Sequence, residues 1–159
     1  MERFTFFFTE ASPFSQWHPS TFTLDGVTFV CAEQAMMHGK ALLFGDAATA
    51  AEILQATHPR DHKALGRKVA GFVDTRWVEQ RVAIVERANH AKFTQNPALH
   101  ALLLATAGTR LVEASPYDRI WGVGLAETDP RIQDPRTWRG QNLLGDVLTR
   151  LRETLLEAG

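Results

Sequence analysis

Over the first thirty residues the apolar side chains tend to alternate with polar ones, whereas from residue 31 onward they recur every three or four positions. Alternation marks strands and a period near 3.6 marks helices. Residues 4–9 accordingly read as a short strand. Residues 21–30 read as a hairpin, with Phe22 and Leu24 on one arm and Val27 and Phe29 on the other, because Asp25-Gly26 between them is a strong hairpin signal. Pro13 and Pro19 bracket a loop before it, each removing a backbone donor.

Residues 31–44 predict a helix that stops at Gly45, with Asp46 capping a second, Ala-rich helix to Thr57. Pro59 opens a third, through about Val69 and ending at Gly71. Asp74 caps a long helix over 75–94 whose stripe runs Val78, Val82, Val85, Asn89 and Lys92. Pro97 begins a short Ala/Leu helix to about Thr106, and residues 111–113 suit a short strand. Trp121-Gly-Val-Gly124 needs backbone freedom, and 129–137, carrying Pro130 and Pro135, reads as a surface loop and mobile flap. A last helix over 142–157 presents Leu144, Leu148, Leu151 and Leu155 to the core. The expected fold class is predominantly α-helical, α+β, with a small hairpin and sheet at the front. A single compact domain over residues 1–159 is expected.

One stripe breaks the apolar pattern. Glu33, Met37, Lys40 and Phe44 follow at steps of four, three and four and share a helix face. Two apolar members say the face points inward, yet buried charges are costly unless paired or used. Seven residues separate Glu33 from Lys40 by about 10 Å of rise, too far for a tight ion pair but suited to a ligand between them. The stripe ending in Asn89 and Lys92 turns polar in the same way.

Charge is nearly balanced, with a formal net of −1, so no basic field proposes long nucleic acid as a partner. One cysteine excludes an internal disulfide, and the phenylalanine run at the front is too short to span a bilayer. No leader sequence is legible, and a soluble cytoplasmic protein without membrane contact is expected.

Several residues have both a structural and a chemical reading. Glu33 and Lys40 suit either a structural pair or a site. Asn89 and Lys92 lean towards a solvated helix end. Glu113, Tyr117 and Asp118 precede Trp121, an acid-plus-indole arrangement that suits a sugar or base, although a tryptophan is more often core. Trp138-Arg-Gly-Gln-Asn142 leads into the last helix, whose free N–H groups would seat a phosphate. Lys63 and Arg67, one turn apart, would grip phosphate or simply be solvated. His58 and His62 have metal-ligand spacing, but Pro59 between them argues against a metal site. Cys31 reads as small packing, since no histidine–acid partner is legible. No P-loop and no dinucleotide fingerprint is present.

With these residues in hand, the chain resembles the YbiA-like, or NADAR, family of N-glycosidases. The similarity covers nearly its whole length. It rests on Phe14-Ser15, Asp25-Gly26, Glu33 and Lys40, Gly66-Arg67, Ala91-Lys-Phe93, the run from Leu103 to Thr106, Leu111-Val-Glu113, Asp118 with Trp121-Gly122, and Gly140-Gln-Asn-Leu-Leu-Gly145. The resemblance implies a mostly helical fold with minor strands. It also implies cleavage of an N-glycosidic bond on a ribose phosphate, with no metal or organic cofactor. Short bacterial members act on ribosylamino-pyrimidine phosphates, early intermediates of riboflavin biosynthesis, and others remove ADP-ribose from guanine. Gln16 and Gln34 depart from the residues common in relatives and put substrate choice in doubt.

On this reading Lys40 is the nucleophile, forming a Schiff base with the opened ribose, and Glu33 or Asp118 moves the protons. Lys92 is the second choice of nucleophile and, with Asn89, lines the sugar side. Trp121, beside Gly122 and Glu113, stacks on the base, while Lys63, Arg67 and the helix start at Asn142 share the phosphate. One condition attaches: Glu33 raises the pKa of Lys40, so desolvation must outweigh it. In the competing mechanism the ring stays closed, a carboxylate stabilises an oxocarbenium-like state and Lys40 only binds. The rival functions are a glycohydrolase of ADP-ribosylated guanine and a non-catalytic module binding ADP-ribose or a pterin-like ligand.

Overall fold

The structure, a computed structural model, describes residues 1–159. Its elements in order are β1 (Phe4–Phe7), β2 (Phe22–Leu24), β3 (Val27–Phe29), α1 (Ala32–Leu43), α2 (Ala47–Gln55), α3 (Pro59–Gly66), α4 (Asp74–Gln95), α5 (Pro97–Leu104), β4 (Arg110–Glu113) and α6 (Leu143–Ala158). Two short 3-10 turns, Pro130–Gln133 and Pro135–Thr137, precede α6. Six α helices and two small sheets make the fold predominantly helical α+β, as the periodicity predicts. None of the helices is long and apolar enough to cross a membrane. The chain divides into two units, Gln16–Pro97 and Met1–Ser15 with Ala98–Gly159.

In the unit Gln16–Pro97, α1 packs on α2, α3 and α4, and the β2–β3 hairpin lies on α4. Phe22, Phe29, Ala35, Ala88 and Ala91 form a buried cluster, with Leu24 and Val27 against it. The hairpin turns where expected, with Asp25 and Gly26 both at positive φ. Gln95 secures it to α4 by accepting from the Thr23 N–H at 2.8 Å and donating to the Thr23 carbonyl at 2.7 Å. Gly45, at φ +73°, follows the end of α1. Asp46 then caps α2, its Oδ1 accepting from the Thr49 N–H at 3.0 Å.

Two boundaries and one buried face differ from expectation. α3 stops at Gly66 rather than near Val69, because residues 67–73 turn away. Asp74 is the first residue of α4, not its cap. The buried face of α4 also runs through Trp77, Arg81, Val85, Ala88 and Lys92, while Val78 is 46 % exposed. A helix carrying both Trp77 and Val78 has two possible apolar faces, and the larger ring takes the interior.

The unit Met1–Ser15 with Ala98–Gly159 holds a parallel pair, β1–β4, in the register Phe4↔Arg110 to Phe7↔Glu113. Val112, Ala114, Val123, Leu125 and Ile132 form its buried cluster, with Phe4, Phe6 and Trp138 packed on it. Ile132 corrects the expectation of a mobile flap over 129–137. Its side chain is buried, its carbonyl accepts from Trp138 Nε1 at 2.8 Å, and Asp129 and Asp134 each cap a 3-10 turn. A segment anchored by a core side chain and capped twice is a strap.

Candidate functional site

Cys31 precedes α1 in an extended conformation and gives it no side-chain cap. The preceding loop serves instead, since the Glu33 N–H donates to the Gln16 carbonyl at 2.9 Å. The Gln16 side chain then meets α4, its Oε1 accepting from Asn89 Nδ2 at 2.9 Å. Asn89 Nδ2 also donates to the Val85 carbonyl at 2.9 Å, which orients the amide and leaves Oδ1 buried with no hydrogen-bond partner. Such an acceptor is uncommon in a folded interior and marks a place built for a donor.

Lys92 follows Asn89 by three residues, and both are 0 % exposed. Burial drives the Lys92 amine down to about 7, against the opposing pull of Cys31. The Cys31 thiol is pushed up, chiefly by burial, with Glu33 adding to the rise and Lys92 acting against it. Glu33, the one acidic side chain among the buried polar residues, therefore shares an electrostatic neighbourhood with Cys31 and Lys92. Solvation of the helix end, the bland reading of Asn89 and Lys92, does not hold: both face the interior.

Lys40 is half-buried, with its Nζ 4.8 Å from the Phe72 ring centroid and 5.4 Å from that of Trp77. Phe44 meets Phe72 edge-on at 5.3 Å and backs that ring. Burial lowers the Lys40 pKa, and the Glu33 charge opposes that in part. The condition on a lysine nucleophile is met: desolvation is the larger influence. The apolar stripe through Val78 passes beside Trp77, and Phe72 lies in the segment before α4, outside any helical period.

Two further groups prove structural. His62 Nε2 lies 2.7 Å from the Ala56 carbonyl, which can only accept, so Nδ1 is the unprotonated nitrogen and faces Cys31 Sγ at 3.7 Å. Cys31 thus has a histidine partner that its sequence neighbours do not reveal, with its thiol held protonated. Gln34 accepts from the Val30 N–H at 2.8 Å and donates to the Ile53 and Ala56 carbonyls at 3.0 and 3.3 Å. Its amide joins the hairpin to α2 and is not available to select a substrate. No three His, Cys, Asp or Glu side chains converge to hold a metal ion.

Lys63 and Arg67 are exposed near the end of α3. The neighbouring Gly66 is pressed against Met37, on the face shared by Glu33 and Lys40; a Cβ there would lie 1.9 Å from Met37 Sδ. Arg67 thus borders this face of α1 through Gly66.

Glu113, Asp118, Trp121, Gly122 and Asn142 belong to the other unit and converge with one another there. Asp118 Oδ1 accepts from the Ile120 and Trp121 N–H groups at 2.9 and 2.8 Å, which makes this carboxylate the organiser of a turn. Gly122 fits because a Cβ would stand 2.9 Å from the Glu113 carbonyl. Trp121 is half-buried. Asn142 is 0 % exposed and left-handed, at φ +55°. Its Oδ1 accepts from the Glu113 N–H at 3.0 Å, and its Nδ2 donates to the Leu111 carbonyl at 3.0 Å and to Asp146 at 3.3 Å.

The phosphate seat expected at the start of the last helix is corrected by the same geometry. The N–H groups of Asn142, Leu143 and Leu144 donate to the carbonyls of Gly122, Ile120 and Trp121, so α6 begins with its donors occupied. This unit also has a cavity of about 440 Å³ lined by Arg3, Arg110, Asp146 and Arg150, among others. Arg110 is held there by Asp146 at 2.9 and 3.0 Å, and none of the candidate residues lines it.

Comparison with known proteins places this arrangement in a family. Residues 5–156 match the NADAR domain. The chain is 40% identical over 168 residues to protein irg-1 of Caenorhabditis elegans, covering 96% of this chain and 79% of that protein. It is 44% identical over 145 residues to the N-glycosidase R617 of Acanthamoeba polyphaga mimivirus, covering 88% and 85%. The NMR structure of the E. coli protein YbiA superposes with a TM-score of 0.80 at 28% identity, over 99% of this chain and 88% of that one. The family match spans nearly the whole chain and the fold agrees with it: this protein belongs to the NADAR family.

Proposed function

We propose that this NADAR protein is an N-glycosidase that hydrolyses the bond between ribose C1′ and the amine of a ribosylamino-pyrimidine phosphate, releasing ribose 5-phosphate. The hydrolase class rests on family membership and on relatives named N-glycosidases. The observation that carries the mechanism is Lys40, a partly exposed amine whose pKa burial lowers, beside the buried carboxylate of Glu33. A nucleophile must be neutral and reachable. Burial moves Lys40 towards the neutral form and leaves it within reach of solvent, whereas Lys92, neutral in part near pH 7, is 0 % exposed.

The substrate's glycosylamine opens, the ring oxygen taking a proton as its bond to C1′ breaks, to a protonated imine at C1′. The neutral form of the Lys40 amine attacks C1′, and a bridging water carries a proton from Nζ to Glu33. Glu33 then returns that proton to the pyrimidine amine as the C1′–N bond breaks, leaving a Schiff base on Lys40. Water adds at C1′ and frees open-chain ribose 5-phosphate and the lysine amine. Asn89 Oδ1 accepts a hydrogen bond from a sugar hydroxyl, and Arg67 and Lys63 offer charge at the rim. Asp118, occupied with its turn, is not assigned the proton transfer.

Incubation with ribosylamino-pyrimidine phosphate and, in parallel, with ADP-ribosyl-guanosine tests the substrate. Ribose 5-phosphate from the first is expected, while ADP-ribose from the second alone would move the assignment to the guanine glycohydrolase reading. Borohydride trapping during turnover, followed by peptide mapping, tests the nucleophile. An adduct on Lys40 is expected, and active protein that yields none sinks the covalent route.

A further inference from the structure

Arg81 is the second member of the buried face of α4, four residues after Trp77, whose ring contacts Lys40. It is only 9 % exposed, yet its guanidinium forms no ion pair or hydrogen bond, and its Nε is buried without a partner. An arginine keeps its charge at every physiological pH, so an interior position without an anion is strongly unfavourable. The same seam of α1 and α4 carries half-buried Lys40 and buried Lys92, and its one buried carboxylate is Glu33. Among these residues Arg81 is the one cation that cannot give up its proton. α1 crosses α4 tightly where Gly39 meets Ile84, its absent Cβ 2.9 Å from Ile84 Cγ2, which sets Arg81 close to the Lys40 end of α1.

The geometry points to Arg81 as the ligand for a phosphate monoester: its guanidinium receives the dianionic phosphate of the sugar whose C1′ faces Lys40. A planar fork of donors suits bidentate binding of phosphate oxygens, and a dianion supplies the anion that the buried guanidinium lacks. Only the identity of the sugar rests on the N-glycosidase reading; anion binding at Arg81 stands or falls separately. The inference also moves the phosphate away from the start of α6, whose donors are occupied.

The test has a binding arm and a turnover arm. In calorimetric titrations of the intact protein with inorganic phosphate and with ribose 5-phosphate, the wild type is expected to bind both. Arg81→Gln weakens binding by about 10- to 100-fold, the worth of a charge-assisted bidentate contact, and Arg81→Lys retains part of it. Arg81→Met is expected to melt at or above the wild-type temperature without ligand, since it removes a buried charge that has no partner. With ribosylamino-pyrimidine substrate, Arg81→Gln raises KM for the phosphorylated form and leaves the dephosphorylated form unchanged. Equal phosphate binding by wild type and Arg81→Gln overturns the inference, as does a large loss of melting temperature in Arg81→Met. A protein that binds phosphate through Arg81 but cleaves no N-glycoside keeps this inference and loses the proposed activity.

Discussion

Two buried asparagines, each 0 % exposed, one at the N-cap of α6 and one within α4, show opposite uses of the same side chain. Asn142 has both ends of its amide engaged, fastening the N-terminus of α6 to the Leu111 carbonyl and the Glu113 N–H on one edge of β4. Asn89 has its donor side engaged by Gln16 and Val85 and its acceptor left over. A completed set of hydrogen bonds stabilises a fold and has nothing to offer a ligand. An incomplete set, held rigid, is destabilising by itself and persists where a ligand completes it. The same contrast separates Asp118, whose carboxylate closes a turn, from Arg81, whose guanidinium closes nothing.

The largest expected effect lies on the incomplete side. Lys40→Met should lower turnover by about 10²- to 10⁴-fold and abolish borohydride trapping, with little change in melting temperature. Lys40→Arg separates the two mechanisms, since appreciable residual rate would favour the closed-ring route. On the completed side, Asn142→Ala should destabilise the protein by about 2–4 kcal/mol in urea unfolding, because it strands a β4 N–H and a β4 carbonyl. Asn89→Ala should be milder in the same experiment but severe in turnover. If the two variants lose stability and activity in equal proportion, the distinction fails.

A pH series sharpens it further. Burial holds the Lys92 amine near 7 in the folded protein, against about 10.4 in an unfolded chain. Between those values the unfolded chain binds the proton that the folded one refuses, so stability contributed by this group rises with pH from about 7 towards 10. Its penalty is complete below 7. Lys92→Met should flatten that slope in melting curves, and an unchanged slope would remove Lys92 as its source. Smaller still, Asp46→Ala should lower the melting temperature slightly through loss of the α2 cap, and Val78→Ala should stay within about 0.5 kcal/mol.

Much of the fold was legible. Six helices, the Asp25-Gly26 turn and the cap at Asp46 are local matters, decided by residues within four positions of one another. The stripe on α1 also pointed to Glu33 and Lys40 correctly as inward-facing. The long helix misled because Val78, Val82 and Val85 offered an apolar stripe of their own beside Trp77, and local period does not choose between adjacent faces. Gln16 stood out only as a departure from relatives, with nothing to say that its two ends would join α1 to Asn89.

Periodicity and capping residues by themselves determined the helices, the hairpin and the inward direction of Glu33 and Lys40, because helix and turn preferences act over one or two turns of chain. Tertiary structure alone decided that β1 pairs with β4 over a hundred residues away, that the donors of α6 are occupied and that Arg81 has no anion beside it. Whether a polar atom is satisfied depends on which distant group reaches it, and that partner is chosen by packing of the whole chain.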